Sequence, residues 1–275
     1  MINFNGTITD QSDQLINNRA FLYGDSVFET LRIIDNKIVF WEDHYFRLMS
    51  SMRIIRLDIP DNYTPDFLQK NILKLHKMVS KNGHSRIRIN VFRFSEGKYT
   101  PDNNKSSFMI SCNEISSPEF KINNGKYVVD LYKDYYLDNQ LISSIKTNNK
   151  IINVVASIYA KENGLNNCVL LNKDKMVAEF INSNIFIIKN DQIFTPTIKS
   201  GCLNGVLRSN LINILKKSSY SISEKDISTF DLTQSDEVFG TNVTQGLFCV
   251  TNYRNKIYSN NQSQEIIKLL NNNLS

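Results

Sequence analysis

The sequence is poor in the residues that build covalent or metal scaffolds. Its 275 residues include four cysteines (Cys112, Cys168, Cys202 and Cys249) and three histidines. No two cysteines form a C-x-x-C pair and none has a histidine at ligand spacing. That argues against a disulfide framework or a zinc module and predicts a reducing compartment. No apolar run approaches the roughly 18 residues of a membrane helix. The start, Met1-Ile2-Asn3-Phe4-Asn5-Gly6, has no basic stretch followed by an apolar one, so a cytoplasmic protein without a membrane partner is expected. No internal repeat and no low-complexity tail is found. The net charge is only +5, from 32 basic and 27 acidic residues. These are interleaved, so no nucleic-acid partner is expected, and the excess favours at most a small anionic ligand.

What is present is an ordinary globular composition, 41% hydrophobic and 21% charged, enough for one large or two modest domains. Asn5-Gly6 between short apolar segments predicts a hairpin, and residues 27–34, the turn Asp35-Asn36 and residues 37–41 predict another. Tyr45, Leu48, Met49, Met52 and Ile55 recur at helical spacing within 42–57. Thr64-Pro65 reads as a cap and first turn. It opens a helix with Phe67, Leu68, Ile72, Leu75 and Val79 on one face, ended by Gly83. Strands are predicted at 86–94, 108–112 and 127–132. The polar stretch 114–125, with Ser116-Ser117-Pro118, predicts a linker, so the expected domains are 1–115 and 126–275 around a linker at 116–125. The second half reads as a helix at 149–163 ended by Gly164, strands at 168–172, 176–180, 184–189 and 192–195, and a helix at 205–217. Strands at 238–241 and 247–251 and a closing helix at 264–270 follow. The fold class is α+β in two domains.

Several residues stand out against this pattern. Lys146 follows the apolar Leu141-Ile142-Ser143-Ser144-Ile145; such a lysine either snorkels at the surface or is a desolvated, reactive amine. Gly201-Cys202-Leu203-Asn204-Gly205-Val206-Leu207-Arg208 joins a strand to a helix. It is either a plain turn or a place where backbone N–H groups meet a phosphate. Glu179 lies in a strand that otherwise reads as buried, as an outward-facing carboxylate or as the partner of a cation. His44 and Arg47 stand one helical turn apart, in a surface ion pair or facing an anion.

Together these segments resemble the class IV aminotransferase family, in order and along nearly the whole chain. The resemblance rests on Arg19-Ala20-Phe21-Leu22-Tyr23-Gly24-Asp25-Ser26-Val27-Phe28-Glu29-Thr30-Leu31-Arg32 and on the W-x-x-H-x-x-R-L segment with His44 and Arg47. It continues with the K-x-x-N of Lys146 and Asn149, the E-x-x-x-x-N-x-F of Glu179, Asn184 and Phe186, then Thr195-Pro196, Gly201, Gly205, Arg208, Thr241-Asn242, Gly246 and Val250. It implies a two-domain class IV fold like that of D-amino-acid aminotransferase, with pyridoxal 5'-phosphate as cofactor between the domains and a homodimeric assembly. Lys146 is implied as the catalytic Schiff-base lysine and proton carrier, and Glu179 as the partner of the pyridine nitrogen. Arg47, the N–H groups of Val206 and Leu207 and the Thr241 hydroxyl are implied as phosphate ligands, and Tyr23, Lys98 and Asn242 as substrate contacts. No metal has a part.

Three activities compete within such a family: branched-chain aminotransferase, D-amino-acid aminotransferase and 4-amino-4-deoxychorismate lyase, which releases pyruvate and 4-aminobenzoate. Ile151 stands where branched-chain enzymes carry a tyrosine, and their carboxylate-binding segment is not apparent around Arg86–Arg93. Arg93-Phe94-Ser95-Glu96-Gly97-Lys98-Tyr99 resembles instead the R-G-x-x-x-R loop of the lyases and D-amino-acid enzymes, with Lys98 in place of an arginine. The 218–250 stretch, above all Asp236-Glu237-Val238-Phe239-Gly240-Thr241-Asn242, resembles the lyase best. Lys146-Thr147-Asn148, however, departs from the K-H-L of some lyases. The expectation is an aminotransferase moving an amino group from an amino acid to a 2-oxo acid, with the lyase as alternative.

Overall fold

The computed structural model describes residues 2–9 and 18–274; Met1, residues 10–17 and Ser275, which the expected domains include, lie outside the described residues. The chain forms two compact units. The first holds the described residues up to Pro118 and, returning later, Ile145–Asn149; the second holds Glu119–Ser144 and Lys150–Leu274.

The first unit is built on an antiparallel six-stranded sheet. Its elements are β1 (Ile2–Phe4), β2 (Thr7–Thr9), α1 (Arg19–Tyr23), β3 (Ser26–Ile34), β4 (Lys37–Ile38), α2 (Trp41–Ile54), α3 (Pro65–Val79), β5 (Ser85–Arg93) and β6 (Ser106–Glu114). The strand order is β2-β1-β6-β5-β3-β4. Asn5-Gly6 makes the expected hairpin, with both residues at positive φ. Successive side chains of a strand face opposite ways, so Ile87, Ile89 and Val91 of β5 enter the core while Arg86, Arg88 and Asn90 face the other side, half-buried. On β3 the core-facing series is Val27, Glu29, Leu31 and Ile33, with one carboxylate among apolar residues. Leu48, Met49 and Met52 of α2 and Leu68, Ile72 and Leu75 of α3 cover that face.

Two expectations shift here. The strand predicted at 37–41 stops at Ile38, because Phe40 takes a left-handed conformation (φ 52°) and Trp41 already opens α2. Short β4 pairs only with Ile33 and Ile34, and the Ile145–Asn149 segment lies against the other end of β3, bridging Thr147 to Val27. Helix α3 starts as predicted, its Thr64 Oγ1 accepting from the Phe67 N–H at 3.2 Å, but it ends at Val79 and not at Gly83, which sits in the turn before β5.

The second unit has two five-stranded sheets. The elements are β7 (Val128–Leu137), α4 (Ile151–Glu162), β8 (Asn167–Asn172), β9 (Val177–Phe180), β10 (Asn184–Lys189), β11 (Gln192–Thr195), α5 (Val206–Lys217), β12 (Ser221–Glu224) and α6 (Thr229–Gln234). Then come β13 (Glu237–Asn242), β14 (Gly246–Val250), β15 (Asn252–Tyr253), β16 (Lys256–Ile257) and α7 (Asn261–Asn271). The orders are β12-β11-β10-β13-β14 and β16-β15-β7-β8-β9. The pairs β7–β8 and β11–β12 are parallel, so each needs a crossover, which α4 and α5 supply. The strands β8, β9, β10, β13 and β14 are buried over nearly their whole length, and an apolar cluster of Val169, Val177, Phe180, Ile185, Ile187, Val238, Phe248 and Val250 joins them. The buried carboxylate of Glu237 accepts from the N–H groups of Gln262 and Ser263, both at 2.9 Å, and so fixes the start of α7.

Candidate active site

In the first unit, Lys146 is set by its neighbours. Ile145 and Thr147 are buried on either side of it, which turns the lysine away from the core. Its carbonyl accepts from the Phe28 N–H at 2.8 Å, and the Asn148 N–H donates to the Ser26 carbonyl at 3.1 Å. Asn149, the last residue of the K-x-x-N segment, donates its side-chain amide to the Gly24 carbonyl at 3.1 Å. Gly24 ends α1 in a left-handed conformation (φ 64°). The lysine Nζ stands 4.5 Å from the Phe28 ring centre. The Arg88 guanidinium lies 3.6 Å from the same centre, donating to Asn148 Oδ1 at 2.9 Å and Asn90 Oδ1 at 3.1 Å. Arg88 thus puts a fixed cation beside Lys146, and the sequence reading passed it over. Its signal was available: an arginine on the non-core face of an alternating strand.

Tyr23 and Lys98 are brought together by Arg19. The Arg19 Nε donates to Asp25 at 2.9 Å, an oxygen shared with Arg93 Nε at 2.9 Å. Its Nη1 donates to the carbonyls of Gly97 and Lys98. The guanidinium stands 4.9 Å from the Tyr23 ring centre, and Tyr99 packs against Tyr23 at 5.6 Å. Lys98 itself is exposed, and it is its carbonyl that Arg19 holds.

Arg47 is neither on the surface nor in a surface ion pair. Its Nε and Nη2 donate to the two oxygens of Glu29 at 2.7 and 2.6 Å. His44 Nδ1 meets Glu29 Oε2 at 2.8 Å. Burial alone would raise the Glu29 pKa, but the charge of Arg47 and the hydrogen bonds from His44 and Arg47 outweigh it and hold the carboxyl at about 2. Burial pushes the His44 pKa down against the pull of Glu29, so the ring is neutral and carries its proton on Nδ1, since a carboxylate can only accept.

In the second unit, Glu179 of β9 is buried and accepts from the Leu203 N–H at 2.9 Å. The Leu203 carbonyl accepts from the Asn184 side-chain amide at 2.8 Å, and the Asn204 N–H donates to the Ser144 carbonyl at 3.1 Å. These bonds shape the loop that enters α5. The cap residue of α5 is Gly205, which offers no side chain to the helix start. A Cβ there would stand 2.0 Å from Asn184 Oδ1, so only glycine lets the loop run this close. The first N–H groups of a helix, here those of Val206 and Leu207, have no partner within it. Arg208 is buried and fastens the helix by donating to the Pro196 carbonyl at 2.7 Å and to Glu224 at 2.6 Å.

Thr241 pairs with Asn184 across β13 and β10. Its hydroxyl is buried and has no hydrogen-bond partner among the described residues, although buried polar groups are nearly always paired. A helix start without a side-chain cap and an orphaned hydroxyl on the neighbouring strand fit a phosphate group. Asn242 is held within the turn between β13 and β14. Its amide donates to Ser183 Oγ and Gln245 Oε1 and its oxygen accepts from the N–H groups of Thr244 and Gln245. These bonds fix the side chain in the β13–β14 turn.

Comparison with known proteins accords with this geometry. The sequence profile of the amino-transferase class IV family matches residues 26–253. A putative branched-chain-amino-acid aminotransferase of Methanocaldococcus jannaschii is 28% identical over 98% of this chain and 93% of its own length. An aminodeoxychorismate lyase of Vibrio harveyi is 25% identical over 84% of each. The branched-chain aminotransferase structure from Thermoproteus uzoniensis superposes with a TM-score of 0.87 at 21% identity, covering 97% of this chain and 92% of that one. The chain therefore belongs to the class IV aminotransferase family, whose members depend on pyridoxal phosphate.

Proposed function

We propose that the protein is an aminotransferase that moves an amino group between an amino acid and a 2-oxo acid. The observation that carries this is the pairing of Lys146 with Arg88 on one aromatic ring. It sets an amine for the reacting carbon beside a guanidinium for a carboxylate, the two groups that every amino acid and 2-oxo acid requires. The cofactor, when bound, supplies the electron sink that makes the substrate Cα acidic. Lys146 Nζ takes that proton and returns it. Glu179, itself fixed by the Leu203 N–H, would favour a proton on the cofactor's ring nitrogen. The N–H groups of Val206 and Leu207, the Thr241 hydroxyl and Arg47 take the phosphate. Tyr23 lines the substrate site, with Arg88 and Lys98 as candidate partners of carboxylates.

The lyase reading is favoured by the 236–242 run, which resembles the lyases best, together with an aminodeoxychorismate lyase among the relatives. Absorbance spectra of the holoenzyme separate the two. Conversion to the pyridoxamine form by single L- or D-amino acids supports transamination and names the donor. Inertness to amino acids with pyruvate release from aminodeoxychorismate refutes it in favour of the lyase.

Among the described residues no helix is long and apolar enough to cross a membrane, and all four cysteines are free and buried. Our reading places the enzyme in the cytoplasm as a homodimer. Exposed Phe21, Leu22 and Tyr99 are the kind of apolar surface an assembly covers, and light scattering tests the dimer.

A further inference from the structure

Glu29 is the odd residue of the core face of β3. Val27, Leu31 and Ile33 beside it are fully buried and apolar, and a carboxylate in such company is costly unless its partners are complete. They are: Arg47 takes both oxygens, and His44 adds a third bond. We propose that Glu29, backed by His44, is the positioning residue that fixes Arg47 for the cofactor phosphate. The inference deepens the proposed function and rests on its reading of Arg47 as a phosphate ligand.

The geometry states how the positioning works. A guanidinium has five N–H donors in a rigid plane. Glu29 holds the Nε–Nη2 edge at 2.7 and 2.6 Å, which fixes the plane of the guanidinium and the direction in which its donors point. The Arg47 backbone is fixed as well, its carbonyl accepting from Ser51 Oγ at 2.7 Å. His44, one turn before Arg47 on α2, contributes only Nδ1; its Nε2 is buried and has no partner among the described residues. A neutral ring steadies the carboxylate without adding charge beside Arg47.

Two effects oppose each other when Glu29 loses its charge. The net positive charge near the phosphate rises, which favours the anion. The guanidinium loses its fixed plane, which weakens a directional bond. Arg–phosphate recognition depends on planar geometry more than on a point charge, so the second effect governs, and removing a negative charge weakens anion binding.

Apoenzyme and variants are titrated with pyridoxal phosphate and, separately, with pyridoxal, following the absorbance of the lysine-bound aldehyde. Glu29→Gln is expected to raise the Kd for pyridoxal phosphate about tenfold, the equivalent of one charge-assisted hydrogen bond, and to leave that for pyridoxal unchanged. Glu29→Asp should fall between the two, and Glu29→Gln should add nothing in an Arg47→Ala background. Equal or tighter pyridoxal phosphate binding by Glu29→Gln, or an equal loss with pyridoxal, overturns the proposal. If Arg47→Ala itself leaves pyridoxal phosphate binding unmoved, the reading of Arg47 falls and the proposal with it; if Arg47→Ala weakens binding while Glu29→Gln does not, the proposal alone falls. Should Glu29→Gln fail to fold, His44→Leu removes one donor from Glu29 and keeps the Arg47 pair. It is expected to weaken pyridoxal phosphate about threefold with pyridoxal unaffected, and no change in either overturns the positioning role.

Discussion

The surroundings of Glu29 in the first unit and of Thr241 in the second are two buried polar regions of opposite character. Around Glu29 each oxygen has a close donor and the charges cancel. Around Thr241 a hydroxyl lacks a partner among the described residues, and the nearby helix begins on a glycine that cannot cap it. A carboxylate whose oxygens are all matched holds its partners in place and stabilises the fold. An unsaturated cluster retains donors that fold stability alone does not require, and such donors point to a ligand.

Mutations should therefore separate stability from binding in opposite ways. Glu29→Leu has the largest expected effect on folding. It removes the carboxylate that Arg47 and His44 share in the core and should cost about 3–5 kcal/mol in denaturant unfolding; a loss within experimental error would contradict this reading of the cluster. Gly205→Ala drives a methyl toward Asn184 and should weaken pyridoxal phosphate binding by roughly a hundredfold, measured by titration of apoenzyme. Thr241→Val should lower that affinity about tenfold yet leave unfolding free energy within about 0.5 kcal/mol, since the hydroxyl makes no bond among the described residues. A large stability loss would show that the hydroxyl is paired after all.

The pH dependence sharpens the same contrast. Glu29 has a folded pKa of about 2 against an ordinary 4.5, so its stabilisation is complete above the unfolded value and is lost as pH falls toward 2. His44, with its folded pKa lowered by burial, acts in the same direction from near its ordinary 6.5 downward. Wild-type unfolding free energy should decline on acidification through this window, and less steeply in Glu29→Leu. The smallest effect is expected at Asn242, where Ala should cost about 1 kcal/mol of stability with the KM for substrate unmoved. A raised KM would support it as a substrate contact.

Much of the fold was legible because local signals agree with the tertiary structure. Thr64-Pro65 begins α3, Asn5-Gly6 makes a hairpin, and Gln192–Thr195 and Asn184–Lys189 are strands with the predicted ends. The departures have tertiary causes. The helix expected from 149 starts at Ile151, because the Asn149 side chain is bound to Gly24. The parallel strand β12 and the short α6 escaped notice, since Ser221–Glu224 is polar and largely exposed and owes its place to pairing with β11. In the site, Lys146, Glu179 and the glycine loop were visible as residues out of keeping with their segments. Glu29 was missed although it interrupts a period-two apolar face. Arg88 was missed although it stands on the non-core face of an alternating strand, because Arg86 shares that face and only the ring of Phe28, a strand away, singles Arg88 out.

The assignment of the cofactor lysine decides the whole account. The holoenzyme should be reduced with borohydride, digested and analysed by mass spectrometry. The account predicts a pyridoxyl phosphate adduct on the peptide carrying Lys146; an adduct on another lysine, with Lys146 unmodified, would contradict it.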